Sequence, residues 1–474
     1  MALRLQRWPK AMRHTLLYGC SIALMKGMSL LLLPFIAHYL SPEEFGRLEV
    51  ISSLAVIGSI LVGLGLEEAL YRFAGSESDE AKKKRVVSQI FGFSLVVAAI
   101  ALVLGYVTAS LVARYLPGSA TSYEITLVLS VFALEGVIAV PLGWLRMRDK
   151  AISFFWLTTG RALVQASLIF ILVSAQRGVA GVLEAGFIAA IVQMLFLTYL
   201  QIKDTGLSFS ISQAKNTLVY TLPIVGSGLL AFALNGLDRW LLADLTSLSD
   251  VAAFGVAAKF ALAVVLLLQP FGMWWLPKRF DVLNSDNGQE KASRYIAIGI
   301  SLCLIITVLV GLLSPLVIHY LLPEDYALAG QYVLGLVLVM ALKEIAELIN
   351  LGCFTGKTTH TQFIINLVAA LSAFACMQWW IPEYGVWGCI VALILAQAIR
   401  VFAFFIASQH FLPLPYPNKA LFNLITLSLI WLLVGFDPLH SSYQILLCAV
   451  AMVSLLAFAI RSRLLPPVSE VFPS

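Results

Sequence analysis

Charge is scarce in this sequence of 474 residues: only 12% are Asp, Glu, Lys or Arg, whereas 60% are hydrophobic and the mean hydropathy is +0.92. Ordinary soluble domains carry about 25% charged residues, so this composition excludes a soluble globular protein. Apolar runs of about 20 residues are long enough to cross a bilayer, and such runs recur from Thr15 to Ile460. The sequence therefore predicts an integral membrane protein.

The chain also lacks the motifs of common enzyme and metal sites. Its six cysteines lie inside or at the ends of apolar runs and form no CxxC pair, so neither a disulfide framework nor a zinc site is predicted. No nucleophile elbow, HExxH pair or phosphate-binding glycine loop is present. We expect no catalytic residue, no metal and no enzyme activity, and the net charge of +5 gives no sign of nucleic-acid binding.

The polar segments are short, none exceeding about 15 residues. Such short outward loops argue against a membrane glycosyltransferase or polymerase, which needs outward surface to hold its acceptor. The apolar segments number about fourteen, numbered here 1 to 14 in chain order. With a cytoplasmic N-terminus, about twenty basic residues fall on one side and about three on the other. The positive-inside rule then predicts a multi-pass protein with both termini in the cytoplasm.

The chain repeats itself. Gly178-Val-Ala-Gly181 is followed 207 positions later by Gly385-Val-Trp-Gly388, and Lys150 and Lys357 stand at the same separation. The Phe45-Gly46 pair recurs as Phe254-Gly255 after 209 positions. A duplication in an apolar chain is typical of two-lobed transporters whose substrate site lies between the lobes.

The repeat predicts an all-α membrane protein of two pseudo-symmetric six-helix lobes around a central cavity. The expected boundaries are 1–210 for the N-terminal lobe and 211–415 for the C-terminal lobe. Residues 416–474 are expected to form two additional transmembrane helices.

Ionisable side chains inside the apolar segments are the candidate functional residues, since charge is costly in hydrocarbon. Lys26 lies about eleven residues into predicted helix 1, near mid-membrane. Predicted helix 7 carries Asn235, Asp238 and Arg239 within about one turn, and Lys259 follows at mid-depth in predicted helix 8. We expect these residues to line a cationic substrate cavity, in which Arg239 suits bidentate phosphate binding and the lysines act as point charges. A purely structural pairing of Asp238 with Lys259 or Arg239 fits the pattern equally well.

Further charges suggest pairs and gates. Glu135 and Arg161 lie at similar depth on predicted helices 4 and 5, which predicts a structural ion pair. Predicted helix 10 carries Lys343, Glu344 and Glu347; Lys343 and Glu347 have the i,i+4 spacing of an intrahelical pair. An unpaired carboxylate there would be a candidate site for coupling to H⁺ or Na⁺.

The inner end of predicted helix 2 carries Glu67, Glu68 and Arg72. These charges fit an inner-gate latch that closes across the lobes, and they fit a solvated helix end equally well. Six tryptophans near the predicted membrane surfaces are typical of an aromatic belt: Trp144, Trp274, Trp275, Trp379, Trp380 and Trp387.

Three segments resemble polysaccharide-type (Wzx-like) flippases of the multidrug/oligosaccharidyl-lipid/polysaccharide exporter superfamily. Residues 64–73, LGLEEALYRF, are similar to the end of the second helix in that family. Residues 235–242, NGLDRWLL, are similar to its seventh-helix motif, and residues 322–326, LPEDY, with 381–388, IPEYGVWG, are similar to its tenth to twelfth helices.

The resemblance implies two lobes in a V around a cavity lined mainly by helices 1, 2, 7 and 8, with two C-terminal helices supplying a groove for a lipid tail. It also implies an alternating-access flippase for polyprenyl-diphosphate-linked oligosaccharide in the bacterial inner membrane, serving O-antigen, capsule or exopolysaccharide assembly. A polymerase and a chain-length regulator of the same pathway are the expected protein partners, and membrane lipid surrounds the chain. No cofactor is expected beyond a coupling H⁺ or Na⁺.

Two relatives within the same superfamily remain as alternatives. A multidrug or cation antiporter should have a cavity dominated by carboxylates. Predicted helices 1, 7 and 8 instead carry three cations, Lys26, Arg239 and Lys259, and one carboxylate, Asp238. A lipid II flippase is not separated from the first interpretation by the sequence.

Overall fold

The computed structural model of the protein describes residues 19, 24–25, 27–233, 236–355, 360–436 and 441–465. Over these residues the chain is built from helices joined by short turns, and no strand occurs in them. Eight of the described helices are long and apolar enough to cross a membrane. The all-α membrane fold predicted from the sequence is thus confirmed, while the number fourteen stays a prediction.

The helices of the first half follow the predicted order. They are α1 Leu33–Tyr39, α2 Pro42–Gly58, α3 Gly65–Gly75, α4 Glu80–Tyr115, α5 Ser122–Met147, α6 Ala151–Ser174, α7 Gly178–Thr205, α8 Ile211–Ala233 and α9 Leu237–Leu245. A π-helical segment, Ser59–Leu64, joins α2 to α3. Predicted helix 2 is therefore one continuous helical stretch with a wider turn in its middle.

The second half contains α10 Leu248–Leu283, α11 Gly288–Leu321, α12 Ala329–Ile349, α13 His360–Phe411, α14 Asn418–Val434 and α15 Ser441–Arg461. Two short 3₁₀ segments, Glu324–Tyr326 and Asn350–Phe354, flank α12. The 52-residue α13 is broken at Gly385, whose φ of 56° and ψ of −133° are not helical. It therefore contains the segments predicted as helices 11 and 12.

The chain divides into two compact units, Met1–Ala252 and Ala253–Ser474. The lobe boundaries expected from the repeat, 1–210, 211–415 and 416–474, stay a prediction.

Helix starts follow ordinary capping rules. The Thr121 hydroxyl accepts a hydrogen bond from the Glu124 backbone N–H at 3.2 Å, and the Glu124 carboxylate accepts one from the Thr121 N–H at 2.8 Å. Ser41 and Glu44 form the same reciprocal pair at the start of α2. Such capping boxes satisfy N–H groups that have no partner inside the helix, which matters most where water is scarce.

The first glycine of each half of the sequence repeat has the same φ angle. Gly178 and Gly385 both have a φ of +56°, in the left-handed region that glycine adopts most readily. The second glycine of each pair allows a close approach: a Cβ on Gly181 would lie 2.8 Å from the Arg177 Cβ, and one on Gly388 would lie 2.2 Å from the Trp380 carbonyl oxygen. The sequence repeat is therefore a repeat of two tight turns.

Helix packing in the first unit relies on tight contact between apolar side chains and small residues. Val87, Phe91 and Val140, from α4 and α5, are fully buried in one cluster with Trp144, which is 2% exposed. A Cβ added to Gly143 would lie 2.9 Å from Leu70. Close packing of this kind drives helix association where lipid is as apolar as the side chains. Trp144 and Trp275, 1% exposed, are therefore core residues, which corrects their assignment to an aromatic belt.

Candidate functional site

The first candidate site surrounds Arg239 in the first turn of α9. The Arg239 Nη1 lies 2.9 and 3.0 Å from the two carboxylate oxygens of Asp238, and the Arg239 Nε lies 3.9 Å from Oε2 of Glu49 on α2. The Glu49 side chain is 9% exposed and that of Asp238 is 6% exposed. One guanidinium thus lies close to two buried carboxylates.

A hydrogen bond to the backbone orients the Asp238 carboxylate toward Arg239. The Asp238 carboxylate accepts a hydrogen bond from the Arg239 backbone N–H at 2.8 Å, and a negative charge in the first turn of a helix is favoured by the helix dipole. This bond turns the Asp238 carboxylate toward Arg239, so the two side chains form an ion pair. Side chains of consecutive residues do not normally face each other on a helix. Of the partners that the sequence left open for Asp238, the structure shows Arg239.

A second polar contact joins the same two helices. The Trp240 Nε1 donates to the Ser53 hydroxyl at 2.6 Å, and that hydroxyl donates to the Val50 carbonyl at 2.6 Å. Glu49 and Ser53 are four residues apart and therefore lie on one face of α2. The sequence reasoning missed Glu49, although a carboxylate and a hydroxyl at i,i+4 inside an apolar run were a visible signal.

The remaining predicted cavity residues are placed only in part. Lys26 and Asn235 lie outside the described residues. Lys259 is half-buried on α10 and belongs to the second unit, whereas Asp238 and Arg239 belong to the first. A common cavity for Lys26, Asn235, Arg239 and Lys259 stays a prediction.

The predicted partners Glu135 and Arg161 lie in contact. The Arg161 Nη2 is 3.1 Å from the Glu135 Oε1, and the Arg161 Nη1 donates to the Gln193 side-chain oxygen at 3.1 Å. The Gln193 Nε2 in turn donates to the Leu157 carbonyl at 3.1 Å. The network links α5, α6 and α7, so its geometry fits the structural role predicted for the pair.

The second unit contains a similar network around a different arginine. The Arg400 side chain on α13 is 7% exposed, and its Nη2 lies 2.8 Å from Glu347 Oε1 on α12. The Arg400 Nη1 donates to Gln397 at 2.7 Å and its Nε donates to Asn366 at 2.9 Å. Sequence reasoning missed Arg400, although it lies deep in an apolar run and 207 positions after Gln193, the separation of the repeat.

This network bears on the coupling candidates of α12. The salt-bridge partner of Glu347 is Arg400 on another helix, whereas the i,i+4 spacing had suggested Lys343. The Glu347 Oε2 also accepts from the Asn350 side-chain amide at 3.1 Å. Lys343 and Glu344 are half-buried on α12, and their roles in gating or coupling stay predictions.

Of the charges on α3, Glu67 has partners within the first unit. Glu67 accepts from Arg146 Nη2 at 2.6 Å and from the Tyr71 hydroxyl. Glu68 and Arg72 are exposed. An inner-gate role for Glu67, Glu68 and Arg72 stays a prediction, and any such gate would have to include Arg146.

An apolar groove lies between α11, α12, α13 and α14 in the second unit. It encloses about 490 Å³ and is lined by side chains that include Ile300, Leu342, Phe402, Phe405, Leu421 and Ile425. Tyr416, from the linker between α13 and α14, and Asn418, the first residue of α14, also line it. The lining of the groove is therefore almost entirely apolar.

No group of three or more His, Cys, Asp or Glu side chains in the described part of the chain is arranged to hold a metal ion.

The fold is shared with solved structures of membrane transporters. A lipid II flippase, MurJ, in an inward closed conformation is similar over 95% of this chain and 99% of its own, with a TM-score of 0.73 and 16% identity. An inward-facing multidrug resistance MATE family transporter of the MOP superfamily is similar over 86% of this chain and 99% of its own, with a TM-score of 0.58 and 15% identity. Identities this low establish the fold alone.

Residues 11–282 match the family described as polysaccharide biosynthesis protein, and because this is more than half of the chain, the protein belongs to that family. A putative O-antigen transporter of Shigella dysenteriae is 22% identical over 381 residues, which cover 78% of this chain and 93% of the relative. The protein is thus a multi-pass membrane protein of this family, and the relatives it resembles are named as transporters rather than enzymes.

Proposed function

We propose that the protein moves a polyprenyl-diphosphate-linked oligosaccharide across the bacterial inner membrane for O-antigen, capsule or exopolysaccharide assembly. The observation that carries this proposal is the apolar groove of about 490 Å³ beside α14. A transporter of small cations has no use for such a groove, whereas a lipid substrate brings a long apolar chain that must stay out of water. The family and the O-antigen transporter relative support the same substrate class.

The diphosphate head requires cations, and Arg239 is the described candidate. The carboxylates of Asp238 and Glu49 lie beside its guanidinium. An arriving diphosphate competes with these carboxylates for the N–H groups, since charge-assisted bonds to phosphate are strong and bidentate. The exchange makes the affinity for the head depend on whether the ion pair is closed or open, as alternating access requires.

The same exchange offers a route to ion coupling. When the diphosphate occupies Arg239, the buried carboxylates of Asp238 and Glu49 lose part of their compensation, and uptake of H⁺ or Na⁺ restores it. Lys26, Asn235 and Lys259 are expected to complete the cavity. A cytoplasm-negative potential also favours outward movement of the dianion, by about 2.3 kcal/mol per charge per 100 mV.

Export of polysaccharide in a strain lacking the native gene tests this proposal. The wild-type gene should restore surface polysaccharide. Ala398→Trp, which fills the groove, should not restore it at matched protein level, whereas Ala403→Trp on the same helix and outside the groove should. Rescue of a lipid II flippase deletion without any effect on surface polysaccharide would favour peptidoglycan precursor as the substrate and contradict the proposal.

A further inference from the structure

A polar cavity of about 960 Å³ lies in the second unit at the end of α15. Its walls come from α11, from the linker between α13 and α14, and from residues 460–465. The charged groups at its edge are Glu290, Arg294, Arg461 and Arg463. Binding pockets typically enclose about 300–1,000 Å³, so the cavity has the size of a ligand site for a large head group.

The three arginines carry an excess of positive charge. Arg294, Arg461 and Arg463 are exposed, and within the described residues none of them forms a salt bridge. Glu290 is the one carboxylate of the lining. The excess of Lys and Arg in cytoplasmic loops explains the positive charge of these residues. It does not explain why they surround a cavity.

The backbone fixes Arg463 in place. Its φ is 57°, in the left-handed region that few residues other than glycine adopt. The N–H groups of Leu464 and Leu465 both donate to the Ala459 carbonyl, at 2.9 and 3.2 Å, and Leu464 is 2% exposed. The chain therefore turns back at the end of α15 and anchors itself by a buried leucine.

The cavity and the apolar groove adjoin the same stretch of chain, residues 415–418. Pro415 and Pro417 line the cavity, whereas Tyr416 and Asn418 line the groove. The Ser293 hydroxyl donates to the Pro415 carbonyl at 2.8 Å, which attaches this stretch to α11. A lipid with an anionic head and a long chain can thus reach both sites across the linker.

Tyr416 supplies an unused donor at this boundary. Its hydroxyl is buried and has no hydrogen-bond partner among the described residues. Burial raises the pKa of Tyr416, so the group stays protonated. An unsatisfied buried donor is unfavourable, and a phosphate oxygen that reaches it would satisfy it.

We propose that the cavity and the groove together form a loading site for the lipid-linked substrate, with Arg294, Arg461 and Arg463 on the diphosphate and the prenyl chain in the groove. The inference rests on the proposed function. Three guanidiniums against one carboxylate match the two charges of a diphosphate, whereas phosphatidylglycerol carries one charge and two chains. The cavity volume leaves room for sugars beyond the diphosphate.

Binding of undecaprenyl diphosphate to the full-length protein in phosphatidylcholine nanodiscs tests the site. The triple variant Arg294→Gln, Arg461→Gln, Arg463→Gln should bind about tenfold more weakly or worse. The matched control is Lys82→Gln, Lys83→Gln, Arg85→Gln, which removes three positive charges elsewhere and should bind within about twofold of wild type. Tyr416→Phe should weaken binding by a few-fold, a change too small to unfold the chain.

Each outcome separates the site from the transport function. Equal binding by the wild type and the arginine triple variant would overturn the loading site, and displacement of the probe by equimolar phosphatidylglycerol would make the cavity a general anionic-lipid site and also overturn it. After either of these two binding results, the proposed function would still be supported if the wild-type gene restored surface polysaccharide. The converse result is that the probe binds only when the three arginines are present while the wild-type gene restores no surface polysaccharide. That result would contradict the proposed function and support the loading site.

Discussion

Arg239 Nε and Glu49 Oε2 lie 3.9 Å apart and connect α9 to α2. With Asp238 at 2.9 Å, the arginine that the sequence places in the substrate cavity has two acidic neighbours. A phosphate ligand must therefore exchange with an existing ion pair. Substrate binding and the contacts of Arg239 with Glu49 and Asp238 should therefore depend on each other.

The first prediction concerns this ion pair. Arg239→Ala should reduce surface polysaccharide below about a tenth of wild type, because it removes the cation that binds the diphosphate. Arg239→Lys should be partly active, since it keeps the charge and loses the bidentate fork. Glu49→Gln should leave Arg239 in place and shift the pH or sodium dependence of export. Unchanged ion dependence in Glu49→Gln would remove Glu49 from the coupling mechanism.

The second prediction concerns Glu135 and Arg161. Glu135→Gln and Arg161→Gln should each lower the free energy of unfolding in detergent by about 1–2 kcal/mol, because each leaves a partly buried charge without its partner. The double variant should lose less than the sum of the two. Export should fall only with protein level. A loss of export at full protein level would instead place the pair in the transport pathway.

The third prediction concerns Trp144, whose indole Nε1 donates to Asp204 Oδ2 at 2.8 Å. Trp144→Phe keeps most of the ring and leaves the carboxylate one donor short, so the free energy of unfolding should fall by about 1 kcal/mol. Trp379→Phe is the control, because Trp379 is 79% exposed; it should stay within about 0.5 kcal/mol of wild type. Equal effects at both positions would mean that the Asp204 contact contributes nothing.

The fourth prediction concerns the repeated turns. Gly178→Ala and Gly385→Ala should each cost about 1–2 kcal/mol, because alanine disfavours a positive φ. Gly388→Ala should cost more, since its Cβ would overlap the Trp380 carbonyl. Gly160→Ala is the matched control inside a helix with open space around it, and it should be neutral or stabilising. Thermal unfolding of the purified variants measures all four.

Much of this architecture was accessible from the sequence. Apolar runs predicted the helical membrane fold, and the repeated glycines marked two turns that have the same positive φ at Gly178 and Gly385. The Glu135 and Arg161 contact followed from depth alone, because two charges at one level on adjacent helices have few other partners. These inferences needed only spacing along the chain.

The partners of Arg239 and Glu347 were not accessible in the same way. Choosing between Lys259 and Arg239 for Asp238, or between Lys343 and Arg400 for Glu347, requires the rotation of each helix about its axis. Hydrophobic periodicity fixes that rotation poorly where a helix is apolar on all sides. The contacts from Glu49 to Arg239 and from Arg400 to Glu347 each join two helices, so spacing along one helix could not predict them.

The central claim is tested most directly by reconstitution. Purified protein in liposomes, with a fluorescent undecaprenyl-diphosphate-linked oligosaccharide in both leaflets, reports flipping when a quencher reaches only the outer leaflet. The account predicts that wild-type protein makes the whole lipid pool accessible, and that Arg239→Ala leaves the inner-leaflet fraction protected as in protein-free liposomes. Protection of that fraction with wild-type protein, or equal flipping by Arg239→Ala, would contradict it.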